Sequence, residues 1–271
     1  MNELFKLRHK LPAKTFMLIE LGGLLFFILV WYLLTFSDLI PRSVLPSPIA
    51  VVQSYGELFF PNNPPVLLDK DGLVMNTYIS LILNILGYAV AIVASILVGF
   101  VIGLIPLFRG LLGRYVDALR FVPLAAVTGI FIAWFGIETN MKVQFLAFGI
   151  FVYLVPVVVL RIDEVENIYL QTAYTMGATT WQTIRNIFWP HVSSKLIDDI
   201  RVLTAISWTY IIVAELVNTD GGGLGAMIFK AQRVSRLDKV FALLLIIIII
   251  GFIQDKFFVW LDKKLFPHKH K

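Results

Sequence analysis

DEVENIYLQTAYTMGATTWQTIRNIFWP, residues 163–190, is a polar, helix-forming stretch set between two long apolar runs. Residues 163–176 contain no helix breaker, and Gly177 supplies the left-handed position at which helices commonly stop. Thr179 and Gln182 stand at the spacing of a capping box that opens a second segment, and Pro190 is expected to close it. The pattern predicts two short helices meeting at a glycine hinge, the second with an apolar face of Trp181, Ile184, Ile187 and Phe188. A loop outside the bilayer would not leave that face in water without a partner, so the stretch reads as a rigid handle.

The rest of the chain says what the handle is attached to. Over 271 residues, 58% are hydrophobic and 15% charged, with a mean hydropathy of +0.83, which excludes a single water-soluble core. Six apolar runs are long enough to cross a bilayer: about 16–36, 77–107, 115–135, 143–160, 196–217 and 240–260. The first follows Lys6, Arg8, Lys10 and Lys14 like a secretory signal, but it is long and no small-residue cleavage site follows, so it is expected to be retained. The expected division is a cytoplasmic tail (1–15), a first span (16–36), an outer segment with an interfacial helix (37–76), a core (77–260) that includes loop 163–190, and a second cytoplasmic tail (261–271). By the positive-inside rule the N-terminal cations lie in the cytoplasm, and six crossings return the C-terminus there with Lys256, Lys263, Lys264, Lys269 and Lys271. The connections holding Arg109 and Arg114, and Arg161, Arg185 and Lys195, fall inside as well.

One outer loop goes against the rule, with Lys230, Arg233, Arg236 and Lys239. Either these cations sit at an interface and pair with Asp220 and Asp238, or they attract an anionic solute or an acidic partner from outside. The absence of cysteine excludes disulfides, thiolate metal sites and thiol nucleophiles. A net charge of +5, clustered at membrane edges, fits membrane lipid as the surrounding partner and not nucleic acid.

Pro41, Pro46 and Pro48 forbid a continuous helix after the first run, and Ser47 followed by Pro48 predicts a helix start. Val51, Val52, Tyr55, Leu58 and Phe59 would share one face lying along the outer membrane surface, with residues 61–65 ending the helix. In the second run, Gly99 and Gly103 have the spacing that lets helix backbones approach, although glycine is also simply frequent in membrane helices; Gly87 stands in the same run. Ser80 and Asn84 are expected to bond between helices. The third run opens with Arg120 and Pro123, which could bend it along a pathway, and closes with Trp134 beside Phe135 and Gly136, a common interfacial anchor.

Together these residues resemble the binding-protein-dependent ABC-transporter permeases. Those proteins carry in their last long cytoplasmic loop Glu-Ala-Ala, three residues, Gly, nine residues, Ile, any residue, Leu, Pro. This chain has Gln171, Thr172 and Ala173, then Gly177, Ile187, Trp189 and Pro190 at the same spacings, with identity at Ala173, Gly177, Ile187 and Pro190. Arg120, Pro123, Ala126, Trp134 and Gly136 are similar to a run in the nitrate/sulfonate/taurine/bicarbonate branch, as are residues 45–48 and 223–225; Gly129 stands where that branch often has a second proline.

The resemblance implies an all-α integral membrane protein of about six transmembrane helices with the type I ABC importer permease fold, in the bacterial inner membrane. It implies a homodimer, two cytoplasmic ATP-binding subunits that clasp the loop, and an extracytoplasmic solute-binding protein. Gln171, Thr172, Ala173, Gly177, Ala178, Ile187 and Pro190 would be the coupling residues. Arg120, Pro123, Trp134 and Glu215 are the pathway candidates. No cofactor is expected on this chain, and no phosphate-binding loop is present, since Gly221-Gly222-Gly223-Leu224-Gly225 is followed by Ala226 and Met227 instead of lysine. ATP hydrolysis therefore falls to partners, whose closure would move the handle as a rigid body. The implied cargo is a small anion.

Glu215 lies near the outer end of the fifth run, where a wet, ordinary interfacial carboxylate is the first reading and a place on the pathway the second. Arg201 stands at pairing distance from Asp198 along a helix. His268 and His270 read as a solvated tail instead of a metal site, because no further ligand stands nearby. Two other functions fit the sequence less well. An intramembrane enzyme needs converging catalytic groups, but the four histidines (His9, His191, His268 and His270) fall outside the runs. A secondary transporter would show internal repeats and intramembrane charges, and neither is clear.

Overall fold

The computed structural model describes residues 11–37, 40–41, 44–61, 69 and 71–270, without the side chains of His268 and His270. Lys6, Arg8, Lys10 and residues 62–65 lie outside the described residues. Among the described residues every regular element is helical.

α1 (Ala13–Phe36) is apolar all round, and Thr35 is its one buried residue. Its attachment is at one end, where Trp31 Nε1 donates to Pro46 O (2.9 Å) and its ring lies 5.9 Å from that of Phe241. α2 (Pro48–Phe59) starts where expected, with Ser47 Oγ accepting from the Ala50 amide and Pro48 in the first turn. Its buried stripe is Val51, Ser54 and Leu58 with Tyr55 half-buried beside them, the spacing of one helix face, while Val52, one residue off that stripe, is exposed. α2 lies against the last long helix: Tyr55 Oη donates to Ala242 O (3.1 Å).

The core is built from α3 (Leu73–Leu104), α6 (Thr139–Asp163) and α9 (Trp189–Val217), with α6 in the middle. The glycine spacing does pack helices. A Cβ at Gly99 would sit 2.6 Å from Val158, and one at Gly103 2.6 Å from Ile162, so α3 and α6 approach as only glycine allows. Asn84 Nδ2 donates to Ser207 Oγ (3.0 Å), joining α3 to α9 as expected for polar groups in a membrane interior.

The third run is not one straight helix. Ile105, ahead of Pro106, is extended, and ends α3 at Leu104, three residues short of the expected boundary. α4 (Pro106–Leu119) and α5 (Leu124–Phe135) then meet at 109° across residues 120–123. Pro123 has no N–H to continue the ladder and its ring would strike the Leu119 carbonyl, so the chain turns tightly, with Phe121 N donating to Ala118 O and Val122 N to Leu119 O (both 3.1 Å). Four helices (α1, α3, α6 and α11, Leu237–Leu265) and the continuous stretch Thr180–Val217 are long and apolar enough to cross a bilayer; the bent pair makes six if it counts as one crossing.

Pro190 does not close the second segment of the handle. Helix α8 (Thr180–Thr183) runs through a π turn (Ile184–Phe188) straight into α9. Proline removes one ladder donor and crowds the carbonyl four residues back; the widened turn just ahead of Pro190 accommodates both, so the helix survives. Arg201 also finds a different partner: it pairs with Asp255 on α11, and Asp198 pairs with Lys269 (2.6 Å).

Candidate functional site

The handle is an elbow projecting from the bundle. α6 ends at Asp163, and after a short turn α7 (Asn167–Thr175) begins. At its far end Gly177 has φ +76°, with Gly177 N–H donating to Tyr174 O (3.0 Å) and Ala178 N–H to Ala173 O (2.9 Å), the paired bonds of a Schellman cap. No atom lies within 4 Å of a Cβ built on Gly177, so backbone conformation and not crowding demands glycine there. The capping box then forms on both sides: Thr179 N–H donates to Gln182 Oε1 (2.8 Å) and Gln182 N–H to Thr179 Oγ1 (3.3 Å).

Gln171, Thr172, Ala173, Gly177 and Ala178 therefore share the tip of the elbow, while Ile187 and Pro190 lie along the shaft that becomes α9. α7 has no buried residue. Met176 is 82% exposed and Trp181 69%, with Ile168, Tyr169 and Tyr174 also exposed. The expected apolar face divides in two: Trp181 projects outward, whereas Phe188 packs on the bundle core.

Charged groups brace the base of the elbow. Arg161 at the end of α6 donates from Nε and Nη2 to Asp199 on α9 (2.8 and 2.7 Å) and from Nη1 to Glu164 (2.7 Å). Lys195 donates to the other oxygen of Glu164 (2.7 Å). These hydrogen bonds, that from Lys195 first, hold the Glu164 carboxyl below the usual glutamate range. Arg109 of α4 clasps Asp163 through both carboxylate oxygens (2.6 and 2.7 Å). The brace thus joins α4, α6, the elbow turn and α9. Its one local signal is Arg161 three residues before Glu164; the pairing of Arg161 with Asp199 and of Lys195 with Glu164 across helices is not written in spacing.

The pathway candidates separate. Arg120 and Pro123 occupy the bend of the α4–α5 hairpin, where Arg120 bonds to Asp117 (3.3 Å), and Trp134 is 72% exposed near the end of α5. Glu215 is fully buried elsewhere, contrary to the wet site expected. Ser80 Oγ donates to its carboxylate (2.7 and 2.9 Å) and accepts from Leu224 N (2.7 Å), and Gly225 N donates to Glu215 Oε2 (2.8 Å). Gly223 N donates to Asn76 Oδ1 (2.7 Å), and buried Lys142 donates to the carbonyls of Asp220 (2.7 Å) and Gly222 (3.1 Å). A Cβ on Gly225 would lie 2.6 Å from Glu215 Cβ, which explains a glycine there. The sequence placed Glu215 at a span end but gave no sign that residues 221–225 fold back over it.

The outer cations are mostly paired. Lys230 meets Asp71 (2.9 Å), Arg236 meets Asp238 (2.8 Å) and Glu57 (3.1 Å), and Lys239 meets Glu57 (2.8 Å). Arg233 lies over the Phe229 ring at 4.7 Å. Of the two expected acids, Asp238 takes part, while Asp220 offers its backbone carbonyl to Lys142.

The chain is thus a multi-span helical bundle carrying a braced, exposed elbow between two core helices. The chain belongs to the family described as binding-protein-dependent transport system inner membrane component, which matches residues 91–267, more than half its length. It is 25% identical to the taurine transport system permease protein of Escherichia coli, with 97% of this chain and 94% of that protein covered. It is 26% identical to the bicarbonate transport system permease protein of Synechococcus elongatus, with 95% and 91% covered. The crystal structure of an amino acid ABC transporter with histidines shares the fold, at a TM-score of 0.56 and 16% identity, covering 80% of this chain and 96% of that one. These likenesses agree with the branch indicated by the motif residues, and the chain is a transport subunit instead of a catalyst.

Proposed function

We propose that the chain is the membrane subunit of an ATP-driven, binding-protein-dependent importer of a small anion, working as a homodimer in the bacterial inner membrane with both termini in the cytoplasm. The observation that carries this reading is the elbow: exposed Met176 and Trp181 on a doubly capped turn, braced rigidly to α6 and α9. Such a surface fits a groove in a partner, and its brace lets a push on the tip reach the spans. Two cytoplasmic ATP-binding subunits are the partners proposed, and a solute-binding protein delivers cargo on the opposite face. Arg120, Pro123 and Trp134 on the bent hairpin line the pathway, and Glu215 acts from behind it by holding residues 221–225 against α3. The names of the taurine and bicarbonate relatives support a small anionic or sulfonated cargo.

Co-purification tests the reading. Expressed with its ATP-binding partner, the wild-type chain should pull that subunit down, and Trp181→Asp should lose it while still inserting in the membrane. Equal recovery with both chains would overturn the assignment of the elbow.

A further inference from the structure

A groove of about 600 Å³ runs between α4 and α6; the Arg109–Asp163 pair of the brace and Arg120 line part of it, but its apolar wall and Arg114 have no part in the coupling proposed above. One wall is apolar and belongs to a membrane-crossing helix: Val155, Pro156, Val159 and Leu160 of α6, backed by Ile102 and Leu203. The other wall carries Arg109, Arg114 and Arg120, facing Asp117 and Asp163. Arg109 is committed to Asp163 and Arg120 to Asp117, but Arg114 forms no ion pair among the described residues. α4 buries none of its residues, and its Leu107, Leu111 and Tyr115 are exposed, so the helix stands off from the bundle with apolar side chains outward and guanidiniums along the groove.

The geometry points to an anionic phospholipid site. The apolar wall ends where α6 turns charged at Arg161 and Asp163, the border of the hydrocarbon layer, so one molecule could lay an acyl chain along Val159 and Leu160 and set its phosphate on Arg114. A free inorganic anion would satisfy the guanidinium but gain nothing from the apolar wall beside it, whereas a lipid engages both. A cavity of this size suits a bound small molecule or one acyl chain with its head. Bound there, the lipid would wedge α4 away from α6 and fix the bend at residues 120–123. Its assignment to the inner leaflet rests on the topology proposed above; the binding itself does not.

Delipidated full-length protein in neutral phosphatidylcholine nanodiscs allows a test without ATPase or binding protein, so its failure would leave the importer reading standing. Phosphatidylglycerol should raise the melting temperature and remain attached in native mass spectrometry, while phosphatidylcholine does neither. Arg114→Gln should bind it about fivefold more weakly, the factor expected for one cation at a membrane surface. Val159→Trp, which fills the apolar wall, should also lose it. Protection by inorganic phosphate alone would mark a free-anion site, and unchanged phosphatidylglycerol binding in both variants would place the lipid elsewhere; either result overturns the proposal. If a variant does not fold, photoreactive phosphatidylglycerol on the wild type decides instead: labelling within residues 155–160 supports the site and labelling elsewhere refutes it.

Discussion

The cluster around Glu215 and the elbow around Gly177 are opposite solutions to placing polar chain in a membrane protein. Around Glu215 the polar groups are dry and matched: a carboxylate, a hydroxyl, an amide side chain and a lysine pin residues 221–225 to α3, α6 and α9. At the elbow the tip is wet, its apolar side chains lack cover, and the ion pairs are confined to the base. A buried network resists motion because any opening strands an unpaired polar group in hydrocarbon. A braced but uncovered elbow is free to move as a unit and to be gripped. The first region holds the spans together, and the second is the one proposed to receive force.

The sharpest way to break the contrast is to remove the buried acid. Glu215→Ala leaves the Ser80 hydroxyl proton and the Gly225 amide without an acceptor and Lys142 without its neighbouring carboxylate, so thermal unfolding in nanodiscs should show a loss of about 3–5 kcal/mol, as when one member of a buried polar pair is deleted. A change under ~1 kcal/mol would mean the cluster is not a clamp.

Gly177→Asp should act the other way, sparing insertion and costing less stability while damaging transport. Left-handed backbone costs a non-glycine residue about 1–2 kcal/mol, and the added charge sits on the surface to be gripped, so uptake per ATP hydrolysed should fall by on the order of tenfold in proteoliposomes. Wild-type uptake by this variant would sever the elbow from coupling.

Weakening the brace should give an intermediate result. Arg161→Gln removes a half-buried, two-pronged bond to Asp199, worth about 1–2 kcal/mol, between the exposed and buried limits. Adding Glu164→Gln to the reversed pair Arg161→Asp with Asp199→Arg, so that the moved carboxylate does not face Glu164, should recover much of the lost stability if charge geometry, and not residue identity, matters. Failure to recover any would point to a role for Arg161 outside the brace.

The smallest effect should come from pH. Because Glu164 is held below its unfolded pKa, its contribution is complete above the usual glutamate range of about 4.3 and fades as pH falls through the lower folded value. Hydrogen exchange at the elbow turn should rise on acidification below that range, and Glu164→Gln should flatten the rise. A wild-type profile with no step there would show that the carboxylate contributes nothing.

What the sequence made legible follows from the range of the forces involved. The cap at Ser47, the left-handed Gly177, the Thr179–Gln182 box and the close approach at Gly99 and Gly103 are set by a few neighbouring residues, and the structure has each of them as expected. The family motif sat on the same local signals. Pro190 misled because a proline preceded by a π turn can be carried within a helix, and that widened turn has no residue signature. The bend at Pro123 was foreseen as a possibility, but its 109° angle depends on how α4 stands against α6. Burial of Glu215 and the partners of Arg161 and Arg201 depend on residues far apart in the chain, which periodicity along one helix does not encode.

The central claim, that the elbow is gripped from the cytoplasm by an ATP-hydrolysing partner, can be met head-on because the chain has no cysteine. A single Met176→Cys, at a site 82% exposed, should react with membrane-impermeant maleimide in inside-out vesicles only, and should cross-link to the ATP-binding subunit in the assembled complex. Reaction in right-side-out vesicles, or a labelled cysteine that never cross-links to that subunit, would contradict the account.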